Sequence, residues 1–137
     1  MKKVFALLLV ALFTVSCGGG FDREAARDKV IDVHDEVMPK LDEVMNLKKQ
    51  VLAKATEVSA TESKTADELR DLAAELESAR KGMMTWMNDW SKTSTVHVKG
   101  ESAEEEQKAY FAAEMERVTK VKEDINSSIA AAKKVLK

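Results

Sequence analysis

The chain has 137 residues, which is length for one domain and not two. Its 22 basic and 24 acidic side chains nearly balance, which excludes the strongly basic surface that grips nucleic acid. A single proline, few glycines and an abundance of Ala, Glu, Lys, Leu and Met exclude low-complexity chains and point to an all-α domain.

The opening reads Met1-Lys2-Lys3, then an apolar run from Val4 to Val15, then Ser16-Cys17. A basic start, a short apolar stretch and a small residue at the processing point are the grammar of a secretory signal peptide, here residues 1–16. The run is too short for a membrane-spanning helix, which needs about 20 residues. The sole cysteine stands where the run stops, so no internal disulfide is available to an exported chain. Thr14-Val15-Ser16-Cys17 resembles the bacterial lipobox, departing from it at Thr14, where leucine is usual. The resemblance makes Cys17 the acceptor of a palmitate-type lipid and Gly18-Gly19-Gly20 a flexible tether. Removing Lys2 and Lys3 from the 22 basic residues leaves 20 against 24 acidic ones, a side-chain sum of −4. The expected partner is therefore a membrane, held through the lipid and not by charge.

Residues 22–137 form the expected bundle, with helices at about 22–58, 65–91 and 102–136. The first carries Val30, Val37, Val44, Val51 and Val58, a strict seven-residue repeat, widened by Ile31, Met38, Met45 and Leu52. Asp22 is its N-cap candidate. The second repeats Leu69, Leu76, Met83 and Trp90, interleaved with Leu72, Ala79 and Trp86. Thr65-Ala66-Asp67-Glu68 has the pattern of a capping box, and so does Ser102-Ala103-Glu104-Glu105 before the third stripe. That stripe runs Phe111, Val118, Ile125 and Ala132. Ser59 to Lys64 is the tight connection, and Thr95-Val96-His97-Val98 falls in the longer loop. Three such stripes predict an up-down-up three-helix bundle with left-handed, coiled-coil-like packing.

His34-Asp35-Glu36-Val37-Met38-Pro39-Lys40, Met83-Met84-Thr85-Trp86-Met87 and Lys122-Glu123-Asp124-Ile125-Asn126-Ser127-Ser128-Ile129 resemble a family of small helical lipoproteins from Bacteroidetes. Its members often carry the label "viral A-type inclusion protein". The resemblance covers nearly the whole chain after Cys17. It implies an envelope lipoprotein and carries no established activity.

Folding the first two helices as an antiparallel hairpin pairs positions whose numbers sum to about 122. His34 then falls near Met87, and Met38 near Met83 or Met84, with Trp86 and Trp90 at the same level. Four readings share these residues. Methionine and tryptophan on apolar stripes are ordinary core, and a lone histidine there is commonly a boundary residue. As ligands, His34, Met38, Met83 and Met87 form a soft imidazole–thioether set suited to Cu(I) or Ag(I), with Trp86 or Trp90 covering the metal. Haem b would use His34 and a methionine as axial ligands, but the stripes leave little room for a porphyrin. The fourth reading is an exposed Met and aromatic patch that grips an envelope protein partner. Pro39 lies on the outward side, either bending the first helix or ending it near Val37 and restarting it. Gly82 lies near the seam, where it would let helices approach. No Ser-His-acid set, glycine-rich phosphate loop or Cys pair is present, so catalysis is not expected.

The lipid reading has a direct check. Cys17→Ser is expected to abolish labelling by a fatty-acid probe and to release the protein from membranes, and labelling that survives the substitution removes the reading.

Overall fold

The computed structural model describes residues 20–137, and the expected signal peptide, Cys17 and the first tether glycines lie outside them. The described part is 88% helical without a strand, an all-α bundle of three helical segments packed on one another. The first segment is α1 (Arg23–Val37), a 3₁₀ turn (Met38–Lys40) and α2 (Leu41–Val58); the others are α3 (Ser63–Val98) and α4 (Glu104–Val135). No helix among the described residues is long and apolar enough to cross a membrane.

Asp22 caps α1 as expected: its backbone is extended, and its Oδ1 accepts the Ala25 N–H at 2.9 Å. The first segment is not one helix over 22–58. Met38 N–H still bonds the His34 carbonyl, but Pro39 has no N–H to offer, and Leu41 N–H reaches back only to Met38 O. The chain therefore stops at Val37 and restarts at Leu41, with Pro39 exposed. Beyond the turn α2 packs chiefly on α3, whereas α1 packs chiefly on α4.

Three other local expectations are corrected. The second helix extends past 91 to Val98, so Thr95-Val96-His97-Val98 is its last turn and not loop. Helix cost at β-branched residues is a few tenths of a kcal/mol each, which the burial of Ser94 and the packing of Val98 on the core outweigh. Neither capping box forms. The α3 cap is Glu62 and the α4 cap is Ala103, and neither side chain bonds a helix amide. Helix α3 begins before Thr65, and the Ser102 hydroxyl is engaged by His97 Nδ1 at 2.9 Å. Gly82 is not required for close approach either. A Cβ there would meet only Val121 Cγ2 at an ordinary 3.8 Å.

Gly100 is the glycine the fold demands. Its φ is +73°, and a Cβ would stand 2.0 Å from Arg23 Nη1. The start of α1 thus lies under the α3–α4 connection.

Val30, Val37, Val44 and Val51 are all completely buried, facing Leu76 and Met83 of α3 and Ile125 of α4 in one core. Ion pairs mark how the segments meet. Lys48 and Arg80 hold Glu77 at 2.9 and 2.7 Å, Glu36 meets Lys122 at 2.6 Å, and Asp89 meets Arg117 at 2.7 Å. Exposed pairs contribute about 0–1 kcal/mol each, so apolar burial holds the bundle and charge registers it.

Leu76→Ala is expected to destabilise the fold by about 2–5 kcal/mol, while Met84→Ala at an exposed position stays within about 0.5 kcal/mol, measured by urea unfolding. Hydrogen bonds from Arg80 and then Lys48 lower the Glu77 pKa from 4.5 to about 2. A carboxyl more acidic when folded adds stability that is complete above its unfolded value and is lost as pH falls towards the folded one. The difference in melting temperature between wild type and Glu77→Gln is therefore expected to narrow as the pH drops from 4.5 to about 2. A difference independent of pH would detach Glu77 from that pairing.

Candidate functional site

His34 sits in the last turn of α1, just before the 3₁₀ turn, with its side chain 17% exposed. Its Nδ1 pairs with Asp35 Oδ1 at 2.8 Å, and its ring centroid lies 5.6 Å from that of Trp86. The Asp35 bond occupies one ring nitrogen and leaves Nε2 as the atom able to meet a ligand. Met38, one turn on, is partly buried against the core, as is Met87 on α3. Met83 is completely buried. The fold therefore gathers His34 onto Trp86 and packs all three methionines against a single core. Met84, their neighbour in sequence, points away and is 45% exposed. Among the described residues no three His, Cys, Asp or Glu side chains cluster as a metal site, so there is no oxygen-rich cage for a hard cation.

Trp86 is buried, and its Nε1 has no hydrogen-bond partner among the described residues. It begins a run of rings that crosses from α3 to α4. Trp90 stacks on it at 5.4 Å, Tyr110 follows at 5.9 Å, and His97 stacks on Tyr110 at 4.1 Å. Phe111 packs beside Trp90 and meets Phe21 at 6.3 Å. His97 thus joins the aromatic end of the bundle from a helix terminus. Burial pushes the Tyr110 phenol above its ordinary pKa, opposed by its 2.9 Å hydrogen bond with Thr93.

Beside the rings lies a polar group that the apolar stripes did not announce. Glu114 is buried, with Oε1 on Arg117 Nη1 at 2.8 Å and Oε2 without a partner. Arg117 also reaches Asp89 at 2.7 Å, and its pKa is raised, chiefly by the Glu114 hydrogen bond. A signal for this was present. Counting heptads back from Val118 and Val121 places Phe111 and Glu114 on the inward face, and a carboxylate there needs a cation within reach.

A groove of about 950 Å³ opens between α3 and α4, with Gly82, Trp86, Ala112, Met115 and Val121 among its walls. Sequence periodicity gave no sign of it, because a groove is made by what neighbouring helices leave uncovered. Comparison with family models, curated proteins and solved structures finds no match for the chain.

Proposed function

We propose that this chain is a lipid-anchored, non-catalytic binding scaffold of a bacterial envelope, an up-down-up three-helix bundle carried on an acylated Cys17. The observation that carries the reading is the sole cysteine at the end of a short, basic-led apolar run, followed by glycines and a small helical domain. The resemblance to small Bacteroidetes lipoproteins points the same way. Side-chain pairs support the up-down-up path. From Gly82 near Val121 to Asp89–Arg117 and Thr93–Tyr110, α3 numbers rise as α4 numbers fall. From Glu36–Lys122 to Glu43–Lys133, the first segment and α4 rise together.

A second reading gives the scaffold a Cu(I) or Ag(I) site on His34, Met38, Met83 and Met87, with Trp86 beside it and Trp90 stacked behind. The His34–Asp35 pair favours it, because metal-binding histidines commonly engage a carboxylate through the other ring nitrogen. The complete burial of Met83 favours the alternative, in which the methionines and rings are core alone and the scaffold binds an envelope protein through its surface.

Met→Leu separates the two, since it keeps apolar bulk but deletes the thioether, and costs under about 1.5 kcal/mol per site. In an anaerobic Cu(I) titration against a competing chelator, a metal site predicts that wild type gains thermal stability and loses tryptophan fluorescence. The triple Leu variant of Met38, Met83 and Met87, and separately His34→Ala, would each lose both responses. An equal response in wild type and the triple variant assigns the methionines to the core.

A further inference from the structure

Helix α1 is the least anchored element of the described fold. It buries two of its 15 residues, Val30 and Val37, where the 18-residue α2 buries four, Val44, Leu47, Val51 and Ala55. Its packing is also one-sided. It lies on α4 and touches α3 little, whereas α2 is wedged against both α3 and α4.

Polar ties divide the first segment in the same way. Among the described residues, Glu36–Lys122 at 2.6 Å is the one side-chain hydrogen bond or ion pair joining α1 to another segment. It sits in the last turn of α1, beside the 3₁₀ turn, and Glu36 is half exposed, so it adds little. α2 is joined to α3 by Lys48–Glu77, and to α4 by Glu43–Lys133 and by the Lys54 bond to the Val135 carbonyl. The start of α1 is held by apolar and ring contacts. Phe21 meets Phe111 at 6.3 Å, and Ala26 and Ile31 pack half-buried on the core. Arg23 lies there too. Its buried Nε has no partner among the described residues, a desolvation cost that exposure to water removes.

The other end of α1 is a joint. Pro39 supplies no N–H and Leu41 N–H reaches back only to Met38 O, so the ladder that would make α1 and α2 one rod is interrupted. Moving parts of proteins commonly turn on a few residues at such an element boundary.

We propose that α1 is a hinged flap. It swings off α4 as one unit about the Met38–Lys40 turn while α2, α3 and α4 stay packed. The swing uncovers Phe111 and the face of Trp86, which Phe21 and His34 meet when the flap is closed. Burial of Val30 and Val37 closes the flap, and the interrupted ladder lets it open without unwinding α2. The flap depends neither on a lipid at Cys17 nor on a metal at His34.

The test is native-state amide hydrogen exchange of the purified protein, read by mass spectrometry at rising, sub-denaturing urea. Amides of α1 are expected to share one level of protection, at least about tenfold below that of the slowest amides of α3. Their protection should depend weakly on urea, because lifting one helix exposes little surface, while that of α3 falls steeply through global unfolding. Two substitutions separate the motions. Val44→Ala weakens packing that persists when the flap is open, so it should speed the slow amides of α3 and leave α1 unchanged. Val30→Ala weakens packing that opening breaks, so it should speed α1 as well, by about tenfold or more. The urea series needs no variant, so it decides the matter if Val44→Ala does not fold. Protection of α1 that matches α3 in level and urea dependence overturns the proposal. So does equal acceleration of α1 by both substitutions, or a graded loss of protection from Val37 towards Arg23, the mark of end fraying.

Discussion

The bundle depends on keeping one line of valines buried across a break in the helix that carries it. Val30 and Val37 belong to α1, Val44 and Val51 to α2, and all four are completely buried although a 3₁₀ turn lies between the pairs. A straight α-helix turns a seven-residue repeat by about 20° per heptad away from its starting face. A 3₁₀ turn advances about 120° per residue against about 100° in the α-helix, so three such residues rotate the following helix by roughly 60° the other way. In ideal geometry such a turn opposes the drift of the repeat, as supercoiling does in the unbroken α4, whose Phe111, Val118, Ile125 and Ala132 are also buried. Pro39 breaks the hydrogen-bond ladder, and the valines on both sides of the break stay buried.

The same turn divides the labour between the halves of the first segment. Leaving α3, the α1 half lies on α4, and its start packs under the α3–α4 connection where Arg23 occupies the space beside Gly100. At this end the core changes character. Below, it is valine, leucine and isoleucine; here it is a run of packed rings with His34 at one side and His97 at the other. Large rings fill the volume where α1, α3 and α4 meet, and the Asp89–Arg117–Glu114 group binds α3 to α4 beside them.

That arrangement explains why packing and ligation are hard to tell apart from residue types. His34 is oriented by Asp35 and by the Trp86 face, a geometry equally suited to a ligand and to a boundary residue covering a large ring. Met83 belongs wholly to the core, whereas Met38 and Met87 are partly buried. Three thioethers with identical chemistry thus occupy two kinds of environment. What distinguishes them is burial, which heptad position alone does not specify.

Much of the molecule was legible in its sequence. Seven-residue spacing marked the buried valines, Leu76, Met83, Trp86, Val118 and Ile125, because an apolar stripe has no low-energy place except against another stripe. Asp22 was legible as a cap, since only a short acceptor side chain can reach the first free amides. Tertiary structure decided the rest. Thr65 and Ser102 carry capping chemistry but do not cap, because α3 starts earlier and His97 holds the Ser102 hydroxyl. Thr95 to Val98 have weak helix preference and are helical, because local propensity is worth tenths of a kcal/mol and packing is worth more. The Asp89–Arg117 pair, the packing of His34 on Trp86 and the grooves beside α4 all join residues far apart in the chain. A periodic pattern states which way each residue faces along its own helix. Which helix it meets there, and what space is left between them, is set only when the segments pack.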